Sequence, residues 1–402
     1  MKIGLLGQVK GNLSGALAEL ESQARNALAR NGGLPHIVYL HGILGSHLAR
    51  PGTRRYWFDL ERVIRANFAE ELGLAADGLS PVEGKKPVQP AGHLEAIYKL
   101  AELRWTLAGF RVHAFAFDWR KSIHVLAADL HNFLESIRDV APKVALVGHS
   151  MGGLVACEYA NRHAGWSDRV ERAVFLGSPL RGSFAPMEAF TGDFRVVRLL
   201  AAMAAGVPDA NLRLRRMART LPGLIDMLPD PAVFPSAEPL YSEAVWTDGV
   251  APAQRWLDQS RALKPRIAGS PLLTRASALV AKQIPTPVAA AVNGKPAASE
   301  FGTGDGIVPL KSSAPPGLTA FEVRFPHTAL PLDPSAIQAV PKVIRGDAVA
   351  LRKVDPAEGS EKPAVLEKFR LLQRDVDAIR NRVREGRLLD LDALWLLTGG
   401  YK

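Results

Sequence analysis

The segment Gly148-His149-Ser150-Met151-Gly152-Gly153 follows directly on the apolar run Val144–Val147, and this junction constrains the fold more than any other feature of the chain. A short β-branched run reads as a buried strand, and the pattern from about Ser150 to about His163 reads as the helix that follows it. Joining the two without a loop demands a sharp turn. The glycines of a G-x-S-x-G segment allow that turn, because a Cβ there would strike the neighbouring strand and helix. The turn pushes the Ser150 hydroxyl out at the end of the sheet. It also sets the N–H of Met151 at the start of a helix, where it can meet an oxyanion. The competing reading is a tight β–α turn with a solvent-exposed serine.

The rest of the chain supplies a sheet for this junction. Strand-like runs occur at His36–Leu40, Arg111–Phe117, Lys143–Val147 and Arg172–Leu176, with helical spacing around 92–108 and 123–137 between them. Such alternation predicts an α/β fold, a mostly parallel sheet with helices on both faces. At 402 residues the chain also exceeds the size at which one core stops growing, so an insertion or appendage is expected. Residues 1–34 read as a peripheral helical segment. Residues 35–182 and 284–344 read as the α/β domain, with further sheet sequence at Thr286–Val292 and Phe321–Phe325. Residues 183–283, rich in proline and short helical stretches, read as a largely helical lid above the sheet. Residues 345–402, with a charged helical pattern from Val365 to Arg384, read as a C-terminal helical extension.

A serine hydroxyl needs a proton acceptor with a pKa near neutrality, which points to histidine. In a chain with the strand–G-x-S-x-G–helix unit the order is Ser, acid, His, and only His163 and His327 follow Ser150. His163 lies at the far end of the helix, roughly 20 Å away at about 1.5 Å per residue. His327 follows the last strand and is the candidate base. Asp305, in the loop Gly302–Leu310, is the candidate acid that fixes the imidazole tautomer. Asp333 competes locally, but its place before Pro334 predicts a helix cap. The loop His41-Gly42-Ile43-Leu44-Gly45-Ser46 after the first strand is the candidate second oxyanion element, with Ile43 as donor beside Met151. No His/Cys/Asp cluster has metal-ligand spacing, and no cofactor is implied.

Hydrophobic residues at 47% and charged residues at 22% exclude a predominantly disordered chain. With Cys157 as the sole cysteine no intrachain disulfide can form, which favours a reducing compartment. The apolar run at the N-terminus is closed early by Lys10, too short for a signal peptide, and nothing approaches a transmembrane span. A cytoplasmic protein, peripheral at a membrane at most, is expected. The formal charge of +10 favours anionic partners. No motif supports nucleic acid, whereas an anionic lipid surface could meet Arg195–Arg219, where six arginines and a single acid, Asp209, alternate with apolar residues. Arg213–Arg216 could instead bind a phosphate or carboxylate of the substrate, and a basic surface that is merely solvated is the plain alternative.

With these residues placed, the chain resembles the lecithin:cholesterol acyltransferase-like branch of the α/β-hydrolase superfamily from about Pro35 to Val340. The motifs are HGILGS at 41–46, YWFDL at 56–60, FDWR at 117–120, GHSMGGL at 148–154, GSPLRGS at 177–183 and GDGIVPLKSS at 304–313. The resemblance implies Ser150 as nucleophile, Asp305 as acid, His327 as base, oxyanion donors at Ile43 and Met151, and a buried structural role for Asp118-Trp119-Arg120. It also implies acyl-ester chemistry on phospholipid or other glycerolipid, without a cofactor. His-Gly opens the oxyanion loop where eukaryotic members usually have Pro-Gly, and the disulfides of secreted relatives cannot form. Two alternatives stay open: an esterase, thioesterase or amidase for a small soluble substrate, and a catalytically silent binding module.

Overall fold

In the computed structural model, which describes residues 3–52, 55–64, 67–204, 206–247, 249–355 and 358, a six-stranded parallel sheet forms the centre of the molecule. The chain begins with helix α1 (Ile3–Arg30) and enters the sheet through β1 (His36–Leu40). A small antiparallel sheet follows, built from β2 (Ser46–Ala49), β3 (Arg55–Trp57) and β4 (Gln89–His93), with α2 (Leu60–Ile64) and α3 (Asn67–Leu72) between the last two. Then come α4 (Glu95–Leu107), β5 (Arg111–Phe115), α5 (Ile123–Ser136), β6 (Val144–His149), α6 (Met151–Arg162), α7 (Trp166–Arg169) and β7 (Val170–Leu176).

The insertion carries α8 (Ala185–Thr191), α9 (Arg195–Met203), α10 (Ala210–Ala218), α11 (Pro222–Ile225) and α12 (Gln254–Ala268), with 3-10 turns between. After it run β8 (Ala276–Val280), the hairpin β9 (Ile284–Asn293) and β10 (Lys295–Gly304), α13 (Leu310–Ser313), β11 (Thr319–Glu322) and α14 (Pro334–Arg345). The strand order is β11-β8-β7-β6-β1-β5.

Side-chain alternation explains the two layers of helix. Ile37 and Tyr39 of β1 face one way with Ala145 and Val147 of β6, and pack under Tyr98 and Trp105 of α4 and Ile337 and Val340 of α14. Val38 and Leu40 face the other way with Leu146, under Leu126 and Leu130 of α5 and Val155 and Tyr159 of α6. Such two-sided burial requires strands that are apolar along their length, and all six residues of β6 are buried. Trp105 Nε1 donates to Ile337 O at 3.0 Å, joining the two helices on one face.

Three expectations need correction. Residues 276–280, assigned to the insertion, form a central strand: β8 pairs in parallel with both β7 and β11. Its sequence, Ala-Ser-Ala-Leu-Val, is too short and too weakly β-branched to stand out, and the neighbours on both sides make it a strand. Residues 286–292 do not join the main sheet but form one arm of the β9–β10 hairpin. Third, residues 346–355 are not helical: the segment pairs against the edge of β11, with Glu322 N donating to Arg352 O and Val354 N to Ala320 O. The charged pattern at 365–384 lies outside the described residues.

Candidate active site

β6 ends at His149 and α6 begins at Met151, so Ser150 alone makes the turn. Its φ of 53° and ψ of −122° are strained for a residue with a side chain. The space around the turn explains the glycines. A Cβ on Gly152 would lie 2.6 Å from Leu40 O, and one on Gly148 would lie 2.6 Å from Gly153 N. Ser150 N donates to Leu176 O at 2.9 Å, which pins the turn to β7.

The structure brings Ser150, His327 and Asp305 together. Ser150 Oγ lies 2.9 Å from His327 Nε2, and His327 Nδ1 lies 2.7 Å from Asp305 Oδ2. An ionised carboxylate accepts only, so the Nδ1 proton faces Asp305 and Nε2 is left as the acceptor for the serine hydroxyl. Asp305 is itself held. Its Oδ1 accepts from Ile307 N at 3.0 Å and Val308 N at 2.7 Å, and its backbone O accepts from His327 N at 3.0 Å. All three residues are buried, Ser150 at 4% exposure.

The loop after β1 lies against the serine, since a Cβ on Gly42 would stand 2.9 Å from Ser150 Cβ. Among the described residues no hydrogen bond occupies the N–H of Ile43 or of Met151, and the latter also sits at the positive end of the α6 dipole. Leu44 takes a left-handed φ of 64°, and Trp57 Nε1 donates to its carbonyl at 2.8 Å.

The lecithin:cholesterol acyltransferase family matches residues 105–259, a stretch that contains β5, β6, the Ser150 turn, α6 and most of the insertion. That match falls on a strand–turn–helix unit at the middle of a six-stranded parallel sheet. Over this stretch the chain is similar to the lecithin:cholesterol acyltransferase family, and its parallel sheet covered by helices on both faces has the α/β-hydrolase type of fold. Among solved structures this chain is similar to a chain of the Tle4–Tli4 complex, at 13% identity over 78% of this chain and 99% of that one, with a TM-score of 0.49. It is also similar to the mature Bacillus licheniformis lipase BlEst2 (16%, 75% and 88%, 0.37) and to phospholipase PlaB from Legionella pneumophila (12%, 70% and 45%, 0.32). No curated protein sequence matches it significantly.

Asp118 and Arg120 form a buried bidentate pair, Nε to Oδ1 at 2.8 Å and Nη2 to Oδ2 at 2.7 Å. Arg120 also donates to Leu72 O, and Trp119 Nε1 to Ser46 O. Arg120 thus ties α3, and Trp119 the small sheet, to the segment that follows β5, and none of the three joins the serine cluster's hydrogen bonds. Asp333 caps α14 as expected, with Oδ1 accepting from Ser335 N at 2.7 Å and Ala336 N at 3.3 Å. Its Oδ2 has a second task, accepting from Arg324 N at 3.0 Å and Phe325 N at 3.1 Å.

Sequence reasoning missed Tyr98 and His149. Tyr98 reads as one apolar position on a helix face, but a buried tyrosine hydroxyl has to find a partner. Among the described residues no group of three or more His, Cys, Asp or Glu is placed to hold a metal ion, and no helix is long and apolar enough to cross a membrane.

Proposed function

We propose that Ser150 is the nucleophile of a serine hydrolase or acyltransferase acting on acyl esters of a phospholipid or other glycerolipid. The observation that carries the reading is the pair of contacts from His327, 2.9 Å to Ser150 Oγ and 2.7 Å to Asp305 Oδ2. Ser150 Oγ attacks the ester carbonyl as its proton passes to His327 Nε2, and the N–H groups of Ile43 and Met151 receive the oxyanion. When the tetrahedral adduct collapses, the ester C–O bond breaks and the His327 proton goes to the leaving alkoxide. Water or an alcohol then gives its proton to His327 and its oxygen to the acyl carbon; as this second adduct collapses, the acyl–Oγ bond breaks and His327 returns the proton to Ser150 Oγ.

One feature supports a lipid: the insertion carries the basic, apolar stretch 195–219, which we assign to the docking of an anionic membrane surface.

The first experiment is labelling with a fluorophosphonate, followed by turnover of dispersed phospholipid against a soluble chromogenic ester. Ser150→Ala should fold, escape labelling and lose about a thousandfold or more in rate. Labelling that persists in this variant removes the nucleophile assignment. Activity on the soluble ester alone removes the lipid.

A further inference from the structure

Gly42, in the loop beside Ser150, has both of its peptide units clamped. On one side its N–H donates to Tyr98 Oη at 3.0 Å. On the other its carbonyl accepts from Gly45 N at 3.0 Å and meets His41 Nδ1 at 2.7 Å. That carbonyl shares a planar trans peptide with the N–H of Ile43, so fixing the oxygen fixes the N–H in the opposite direction.

The clamp continues to the base. Tyr98 Oη lies 2.9 Å from His149 Nδ1, and His149 Nε2 lies 3.0 Å from the backbone oxygen of His327. A carbonyl only accepts, so His149 carries its proton on Nε2 and donates it to His327 O. Its Nδ1 then accepts from the Tyr98 hydroxyl, whose oxygen remains free to accept from Gly42 N. With a neutral His149, each donor and acceptor in the series has a single assignment that satisfies all of them. Burial, followed by the nearby His327, pushes the His149 imidazole down to about 3, so it remains neutral.

We infer that Tyr98 and His149 are positioning residues, a relay that holds the Ile43 oxyanion donor in register with His327. The inference rests on the reading of Ser150 as nucleophile. Neither side chain hydrogen-bonds Ser150, and both act through the peptides they fix. Preorganised donors gain their effect by costing no reorganisation when charge develops, so loosening this loop weakens binding of the transition state more than that of the substrate.

The test compares wild type with Tyr98→Phe, His149→Phe and His149→Gln. Phenylalanine preserves ring packing and removes the relay atoms, whereas glutamine keeps a donor for His327 O and an acceptor for Tyr98. Fluorophosphonate labelling, kcat and KM for p-nitrophenyl butyrate, inhibition by a trifluoromethyl ketone and the melting temperature are measured for each. In the two phenylalanine variants kcat falls about ten- to a hundredfold and ketone affinity falls in parallel, while KM stays within about twofold. His149→Gln recovers most of the loss. The Tyr98→Phe/His149→Phe double variant loses no more than the worse single one, as members of one relay should.

A wild type that is labelled, alongside phenylalanine variants that match it in kcat and ketone affinity, overturns the relay alone. Loss of kcat with unchanged ketone affinity also overturns it, since that pattern marks general loosening. A folded wild type that is neither labelled nor active overturns the Ser150 reading, and the relay falls with it.

Discussion

Asp305 and Asp333 are both buried acids close in sequence to His327, and their hydrogen bonds divide the labour between them. Asp305 holds the imidazole itself, so in the proposed mechanism an amide in its place favours the wrong tautomer. Asp305→Asn should leave the fold intact and lower kcat by on the order of 10⁴, measured on any ester the wild type turns over. Asp333 never touches the ring. It accepts four backbone N–H groups, two at the start of α14 and two in the segment leading to His327. Asparagine can cap the helix, but its NH₂ cannot accept from Arg324 and Phe325. Asp333→Asn should therefore lower stability by about 1–3 kcal/mol in denaturant titration, with the folded fraction keeping most of its turnover.

At this scale the sequence was legible where a residue's task is set by its immediate neighbours. The glycines around Ser150 and the Asp before Pro334 are of that kind. The second task of Asp333 and the hydroxyl of Tyr98 depend on chain far away in sequence, and local pattern carries no trace of them.

Among the elements, α8 holds a carboxyl with a pH dependence of its own. Burial, then the charge of Asp193, pushes Glu188 up to about 7. The folded state thus binds the proton more tightly than the unfolded chain, so this contribution to stability is present below pH 4.5 and is lost as pH rises through about 7. Between those limits the slope approaches about 1.4 kcal/mol per pH unit when the difference is fully expressed. Glu188→Gln should flatten that part of the profile, seen as a difference in melting temperature between wild type and variant that changes sign or size from pH 5 to pH 8. A constant difference would mean that Glu188 titrates alike in both states.

The elements also show why fold reading from sequence is uneven. β6 is read without difficulty because Val144–Val147 is apolar on both faces and glycine follows. β8 is missed because its alanines and serine become strand only between β7 and β11. The β9–β10 hairpin has strand composition at Thr286–Val292 but packs its partly buried side chains against the insertion, where Lys295 Nζ meets Asp193 Oδ2 at 2.8 Å and Ala290 N meets Ser236 Oγ at 3.1 Å. Composition identified a strand and could not say which sheet.

For the molecule as a whole, the question is what the insertion presents to a surface. Of the six arginines in 195–219, Arg198 and Arg216 are exposed, whereas Arg213 pairs with Glu70 at 2.9 Å and Arg219 is buried, donating to Phe190 O and Val250 O. The proposed interface therefore has fewer charges to offer than the sequence suggests. Each basic side chain near an anionic surface contributes about 1 kcal/mol, so Arg198→Gln/Arg216→Gln should weaken binding to anionic vesicles in sedimentation by roughly thirtyfold. Binding to neutral vesicles should be weak and unchanged. Equal binding to both vesicle types, indifferent to salt, would remove the membrane surface and leave the serine chemistry standing.

β7 ends at Leu176 and its neighbour β8 begins at Ala276, with the whole insertion between them. As the chain emerges from a ribosome, the four strands β5, β1, β6 and β7 can assemble from the first 176 residues, and the turn at Ser150 with them. Asp305 and His327 arrive only after the insertion has been made and β8 has closed a loop of about a hundred residues. Loop length itself adds little, about 0.6 kcal/mol per doubling, but non-local closure of this kind slows folding. Throughout that interval the proposed nucleophile has neither its base nor its acid. A chain that stalls or is cut before residue 276 keeps the serine turn without Asp305 or His327, and so, on the proposed mechanism, carries no activated serine.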